Sequence, residues 1–169
     1  MASGDQYAFL QPKDFNAVNG STPFPQLVQV SPGIWGLPMA KLDTQYYVAE
    51  FRAVAGLVTG LTIQTAICED PNTTNTDAGK VVRLGVNFKK LGTGADTYDY
   101  TTSAGTEAEF SVTCDATSGE VVLTSTACTN TDSLAAGDRG LIIIRRIGSS
   151  SSDTHKGRVV LMGVTIRDT

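Results

Sequence analysis

Residues 139–168, RGLIIIRRIGSSSSDTHKGRVVLMGVTIRD, decide how this chain must fold. In LIIIRRI an extended backbone puts Leu141, Ile143 and Arg145 on one face and Ile142, Ile144 and Arg146 on the other. A strand that is apolar on both faces is covered on both sides of its centre and leaves the core at its arginine end. GSSSSDTHKG is a polar loop, and VVLMGVTIRD returns as a second covered strand, with Gly163 where a side chain has little room. A second sheet supplies the inner cover. The outer cover is either a partner subunit or a folded-over loop or arm, so Ile142, Ile143, Ile144, Arg145, Arg146, Val160 and Met162 are candidate subunit-interface or core residues. An unpaired buried charge is very costly, so Arg145 or Arg146 needs an acidic partner, for which Glu50 and Asp138 are candidates.

Outward from this pair, short β-branched runs recur between turn residues: TQYYVAEFRA, GLTIQTAICE, KVVRLGVNFKKL, TEAEFSVTC and EVVLTSTAC. Glu107, Glu109 and Ser111 alternate with Ala108, Phe110 and Val112, the pattern of a strand with one wet and one buried face. QLVQV brings the number of strands to eight, and no helical stripe competes with them. The fold class expected is all-β, an eight-stranded jelly-roll sandwich over residues 35–169. Residues 1–34 read differently. Pro12, Pro23, Pro25 and Pro32 stiffen a segment in which Tyr7, Phe9, Phe15 and Phe24 stand as isolated aromatics, so an extended N-terminal arm is expected, its rings docking on a neighbouring surface or folding back on the domain.

At 169 residues one domain suffices to bury a core. The net charge of -4, with 13 basic residues that form no cluster, argues against nucleic acid as a partner. No apolar run approaches the roughly 18 residues of a membrane span, and MASGDQYAFLQPKD has neither the positive start nor the apolar centre of a secretory signal. Cys68, Cys114 and Cys128 are too scattered, and His155 too solitary, for a metal site. Glu69, Asp70, Asn72, Asn75 and Asp77 gather oxygens in one loop without the order of a calcium-binding loop. Glu107 and Glu109 share a strand face as solvated carboxylates rather than as a glycosidase pair. The expectation is therefore no enzyme, no cofactor and no metal. Trp35, Tyr46, Tyr47, Tyr98 and Tyr100 are core or interface aromatics on one reading and sugar-stacking platforms on the other.

The order PGIWGLPMAKLDTQYYVAEF, GLTIQTAICEDPNTTNTDAGKVVRLGVNFKKLG, LAAGDRGLIIIRRI and DTHKGRVVLMGV, over about residues 32–167, resembles small jelly-roll virion proteins of tailed bacteriophages, of the capsid decoration or cement type. The resemblance is carried by Trp35 to Pro38, by Gly137 and Asp138 leading into the strand that ends at Arg145 and Arg146, by Asp153 and Thr154, and by Leu161 to Val164. Gly157 and Arg158 stand where that group often has an acidic residue opening the last strand. It implies a structural homotrimer made in the host bacterial cytoplasm, bound to the phage major capsid protein on the virion surface, with Tyr7, Phe9, Phe15 and Phe24 as capsid-binding anchors. The alternative is a receptor- or carbohydrate-binding jelly-roll tip of a phage tail or fibre.

Overall fold

A computed structural model describes residues 6–18, 27–41, 45–53, 60–71, 77, 79–91, 106–115, 117 and 119–168, with backbone alone for residues 6, 7, 18 and 168. Its strands in chain order are β1 (Gln6–Leu10), β2 (Asn16–Val18), β3 (Val28–Ser31), β4 (Ile34–Met39), β5 (Tyr46–Arg52), β6 (Leu61–Glu69), β7 (Val81–Leu91), β8 (Ala108–Thr113), β9 (Val122–Cys128), β10 (Arg139–Arg146) and β11 (Val159–Asp168). They form two antiparallel sheets packed as a jelly-roll sandwich. One runs β3-β4-β11-β6-β9, with β1 also on β11, and the other runs β2-β5-β10-β7-β8. The described residues contain no α-helix, only a 3-10 turn at Pro12–Asp14.

The inner faces meet as the alternation requires. Ile142 and Ile144 of β10, Val82, Leu84, Val86 and Phe88 of β7, and Phe110 and Val112 of β8 oppose Ile63 and Ile67 of β6 and Val159, Leu161, Val164 and Ile166 of β11 in one core. Phe51 and Phe88 meet edge to face, with ring centroids 5.7 Å apart. The outer face of β10 forms a second cluster in which Leu141, Ile143 and Val48 pack with Tyr46 and Leu91. Leu141 and Ile143 are both buried within a single chain, so the doubly apolar strand needs no partner subunit to cover it.

Of the two courses the sequence leaves open for the arm over residues 1–34, its described parts take the one that folds back on the domain. β1 pairs with the Val164–Arg167 half of β11, β2 pairs with β5, and β3 pairs with β4, so the described parts of that segment belong to the sandwich. Phe15 sits in the main core, where burying its ring is worth about 2 kcal/mol. Prolines do not prevent this, because Pro12 starts the 3-10 turn, where its missing N–H costs nothing. Three strands, β1, β2 and β4, thus join the eight read from the sequence.

Candidate functional site

A cleft of about 400 Å³ opens on the sheet that contains β11, lined by Phe9, Gln11, Pro12, Lys13, Leu27, Gly33, Ile34, Trp35 and Met162. Three local features build it. β4 pairs with Val159–Leu161 and β1 with the following half of β11, so two short strands share one edge of a long one. The pairing of β11 with β6 shifts register between Leu161 and Gly163, and this β-bulge sets Met162 at the junction, facing the cleft. Gly163 has no side chain to hold Phe9 away: a Cβ there would lie 3.1 Å from Cε2 and Cζ of the phenylalanine ring.

The two walls are fixed by turns. On one side Gln11 and Asp14 close the 3-10 turn reciprocally, the Gln11 N–H donating to Asp14 Oδ2 at 2.7 Å and the Asp14 N–H to the Gln11 carbonyl at 2.9 Å, which presents Lys13 at the rim. On the other, Gly33 adopts φ +79° in the turn between β3 and β4, a conformation that carries Ile34 and Trp35 to the cleft. Gly36 lets β4 approach β11 closely, since a Cβ would meet Val160 Cγ1 at 2.2 Å and Met162 Sδ at 2.8 Å.

Phe9, Ile34 and Trp35 remain 52%, 49% and 50% exposed around this cleft. Large apolar side chains held open together mark a contact surface. An indole and a phenyl ring offer flat faces to the C–H face of a sugar or to an apolar side chain, and Gln11 and Lys13 add amide and ammonium donors at the rim.

Of the four residues expected to form a capsid-binding arm, the two with described side chains fall in different places. Phe9 lines the cleft, Phe15 is core and unavailable as an anchor, Tyr7 is described in backbone only, and Phe24 lies outside the described residues. Of the interface candidates, Ile142 and Ile144 are in the main core, Ile143 is in the outer cluster, Val160 is buried against β4, and Met162 lines the cleft. Of the aromatics weighed for sugar stacking, Trp35 is the only exposed one among the described residues. Tyr47 is buried, its hydroxyl donating to the Pro38 carbonyl, and desolvation raises its phenol pKa beyond the ordinary range. Tyr46 lies beneath the Arg145 guanidinium, 5.6 Å from ring centroid to Cζ, and Tyr98 and Tyr100 lie outside the described residues. Gln11, Lys13, Ile34 and Leu27 were not singled out by the sequence.

Neither expected partner takes the two arginines. Arg145 donates from Nε to Glu107 Oε2 at 2.8 Å and from Nη2 to Oε1 at 2.9 Å, over the bare backbone of Gly85. Arg146, buried, donates from Nε to Asp153 Oδ2 at 2.8 Å and from Nη2 to Oδ1 at 2.7 Å, with further bonds to the Gly157 and His155 carbonyls. Glu50 pairs with Arg139, and Asp138 pairs with Lys90. The described carboxylates of the suspected calcium loop are also committed: Glu69 faces His155 Nε2 at 3.3 Å, Asp70 pairs with Arg158, and Asp77 Oδ2 accepts the N–H groups of Lys156 and Gly157 at 2.6 and 2.9 Å. Glu109 pairs with Arg83 at 3.3 Å. Cys68, Cys114 and Cys128 are free, buried thiols.

No family model matches the sequence, and no curated protein matches it. Solved structures do match the fold. A carbohydrate-binding module of Cellvibrio mixtus lichenase 5A, solved with cellotriose, superposes with a TM-score of 0.55 at 11% identity, over 98% of this chain and 99% of that one. The xylan-binding module CBM15 gives 0.53 at 11% identity, over 96% and 97%. The exo-beta-1,3-galactanase of Phanerochaete chrysosporium, solved with galactose, gives 0.52 at 9% identity, and the chain spans 29% of its length. At these identities the likeness establishes the jelly-roll fold. No helix among the described residues is long and apolar enough to cross a membrane.

Proposed function

We propose that this chain is a carbohydrate-binding jelly-roll module that takes a glycan into the cleft between Trp35 and Phe9. The observation that carries this reading is the cleft itself: an indole, a phenyl ring and Ile34, each about half exposed, are placed around it by the Gly33 turn and the bare backbone of Gly163, with Gln11 and Lys13 at the rim. A folding requirement does not explain such exposure, because nothing in the core depends on it, and stacking on sugar C–H faces does. The carbohydrate-binding modules that share the fold support the same reading. Its role is binding and not turnover.

The resemblance of residues 32–167 to phage virion proteins supports a second, compatible reading, in which the module is the glycan-reading tip of a tail or fibre. Capsid decoration through an arm has less support, since Phe15 is core and the outer face of β10 is buried within one chain. A pull-down on insoluble and immobilised polysaccharides tests the proposal. The wild type is retained by at least one glycan and the Trp35→Ala variant, equally folded, is not. Retention of both alike, or of neither, overturns it.

A further inference from the structure

Among the described residues that line the cleft, one is charged, and it is a cation: of the nine, Lys13 alone has a charged side chain, and no Asp or Glu is among them. Asp14, its neighbour, is turned to the Gln11 N–H as a cap. Among the described residues Lys13 makes no ion pair, whereas Lys41 reaches Asp153 and Lys90 reaches Asp138. The chain as a whole carries a net charge of -4, so an unneutralised ammonium at the mouth of an apolar cleft is not a sample of an overall basic surface. The 3-10 turn that holds it is closed from both ends by Gln11 and Asp14, so the ammonium stem starts from a fixed backbone and loses less freedom on pairing than it would from a loose loop.

We infer that the preferred ligand of this cleft is a carboxylate-bearing saccharide, its ring resting on Trp35 and Phe9 and its carboxylate facing Lys13. This rests on the carbohydrate-binding proposal and goes further by naming the ligand's charge. Sugar rings that differ only at C6, as free acid or as methyl ester, present the same C–H face to the indole but only one presents an anion. A solvent-exposed ion pair strengthens binding modestly and is screened by salt, so the acid is expected to bind roughly five-fold tighter than its ester at low ionic strength, with the difference shrinking towards 1 M salt.

The experiment is calorimetric titration of the full chain with oligogalacturonate, with its fully methyl-esterified counterpart, with a sialylated oligosaccharide as a second carboxylate source, and with a neutral xylo-oligosaccharide. Wild type, Lys13→Gln and Lys13→Arg are compared. The expected result is a preference for at least one carboxylated sugar over its neutral counterpart, abolished in Lys13→Gln and kept in Lys13→Arg. Binding of neutral glycans as tightly as acidic ones, or an acid preference that survives Lys13→Gln, overturns this inference and leaves the carbohydrate-binding proposal standing. No binding of any glycan overturns both.

Discussion

Replacing Asp153 by alanine isolates the most consequential charge in the fold. Asp153 follows the serine run between β10 and β11, and its carboxylate takes two bonds from the buried Arg146, at 2.7 and 2.8 Å, and a third from the Arg83 N–H of β7 at 3.2 Å. Its backbone carbonyl accepts from Lys41 Nζ at 2.8 Å. One residue therefore ties β7 and the end of β10, neighbours in one sheet, to the segment that follows β4 of the other sheet. Truncation leaves the Arg146 guanidinium, 1% exposed, without a counter-ion, and breaking a buried pair in this way costs about 3–5 kcal/mol. In a domain of this size each kcal/mol lowers Tm by about 2–4 °C, so the expected fall is about 6–20 °C, read by calorimetry and matched by urea denaturation. The double variant Arg146→Met, Asp153→Leu removes both charges and is expected to be more stable than Asp153→Ala, because the desolvated cation is gone even though the His155 and Gly157 carbonyls lose a donor. A loss below about 1 kcal/mol in Asp153→Ala, or a double variant less stable than the single, would refute this reasoning.

Three further outcomes are expected. Phe15→Ala costs about 3–5 kcal/mol in chemical denaturation, since its ring is in the main core, and deletion of residues 1–18 destabilises the sandwich more severely; a truncated chain that melts like the wild type would show that β1 and β2 are accessory. Burial pushes the thiol of Cys68 up to about 11 and those of Cys114 and Cys128 up to about 12, so native labelling by a thiol reagent is slow and becomes fast on unfolding, and rapid native labelling of all three would contradict the core described here. Burial also pulls the Asp77 carboxyl upward, but the N–H groups of Gly157 and Lys156 outweigh it and hold its pKa below the ordinary aspartate value. A depressed folded-state pKa gives stability that is complete above about pH 4 and is lost as the pH falls through the folded value, so Asp77→Asn flattens the acid limb of the stability curve; an unchanged limb below pH 4 would count against it.

How much of this was legible in the sequence depends on whether the signal was periodic or spatial. β8 was plain from the alternation around Phe110, and β10 and β11 from their apolar runs, because a strand's side-chain period is imposed locally. β4 was not, since Gly36 and Pro38 interrupt its apolar pattern. The structure shows why both are tolerated: among the described residues β3 pairs with β4 up to Gly36 and not beside Pro38, so the missing N–H breaks no bond of that ladder, while Gly36 admits the Val160 and Met162 side chains. β1 and β2 were hidden by the prolines around them. That Arg145 and Arg146 need partners follows from burial alone, but their choice of Glu107 and Asp153 is a matter of three-dimensional proximity that no spacing encodes. The cleft is assembled in the same way: Phe9 reads as an arm anchor, Met162 as an interface or core residue and Trp35 as a core or stacking aromatic, and no spacing brings the three together with Lys13.

The chain contains one tryptophan, so its intrinsic indole emission reports on the cleft alone. Titrating the folded protein with oligosaccharides, acidic and neutral, while following Trp35 emission tests the central claim most directly. The expected result is a saturable change in intensity or wavelength with at least one glycan, lost when Phe9→Ala opens the opposite wall. Glycan binding detected by calorimetry with no change at Trp35, or no saturable change with any glycan, would contradict it.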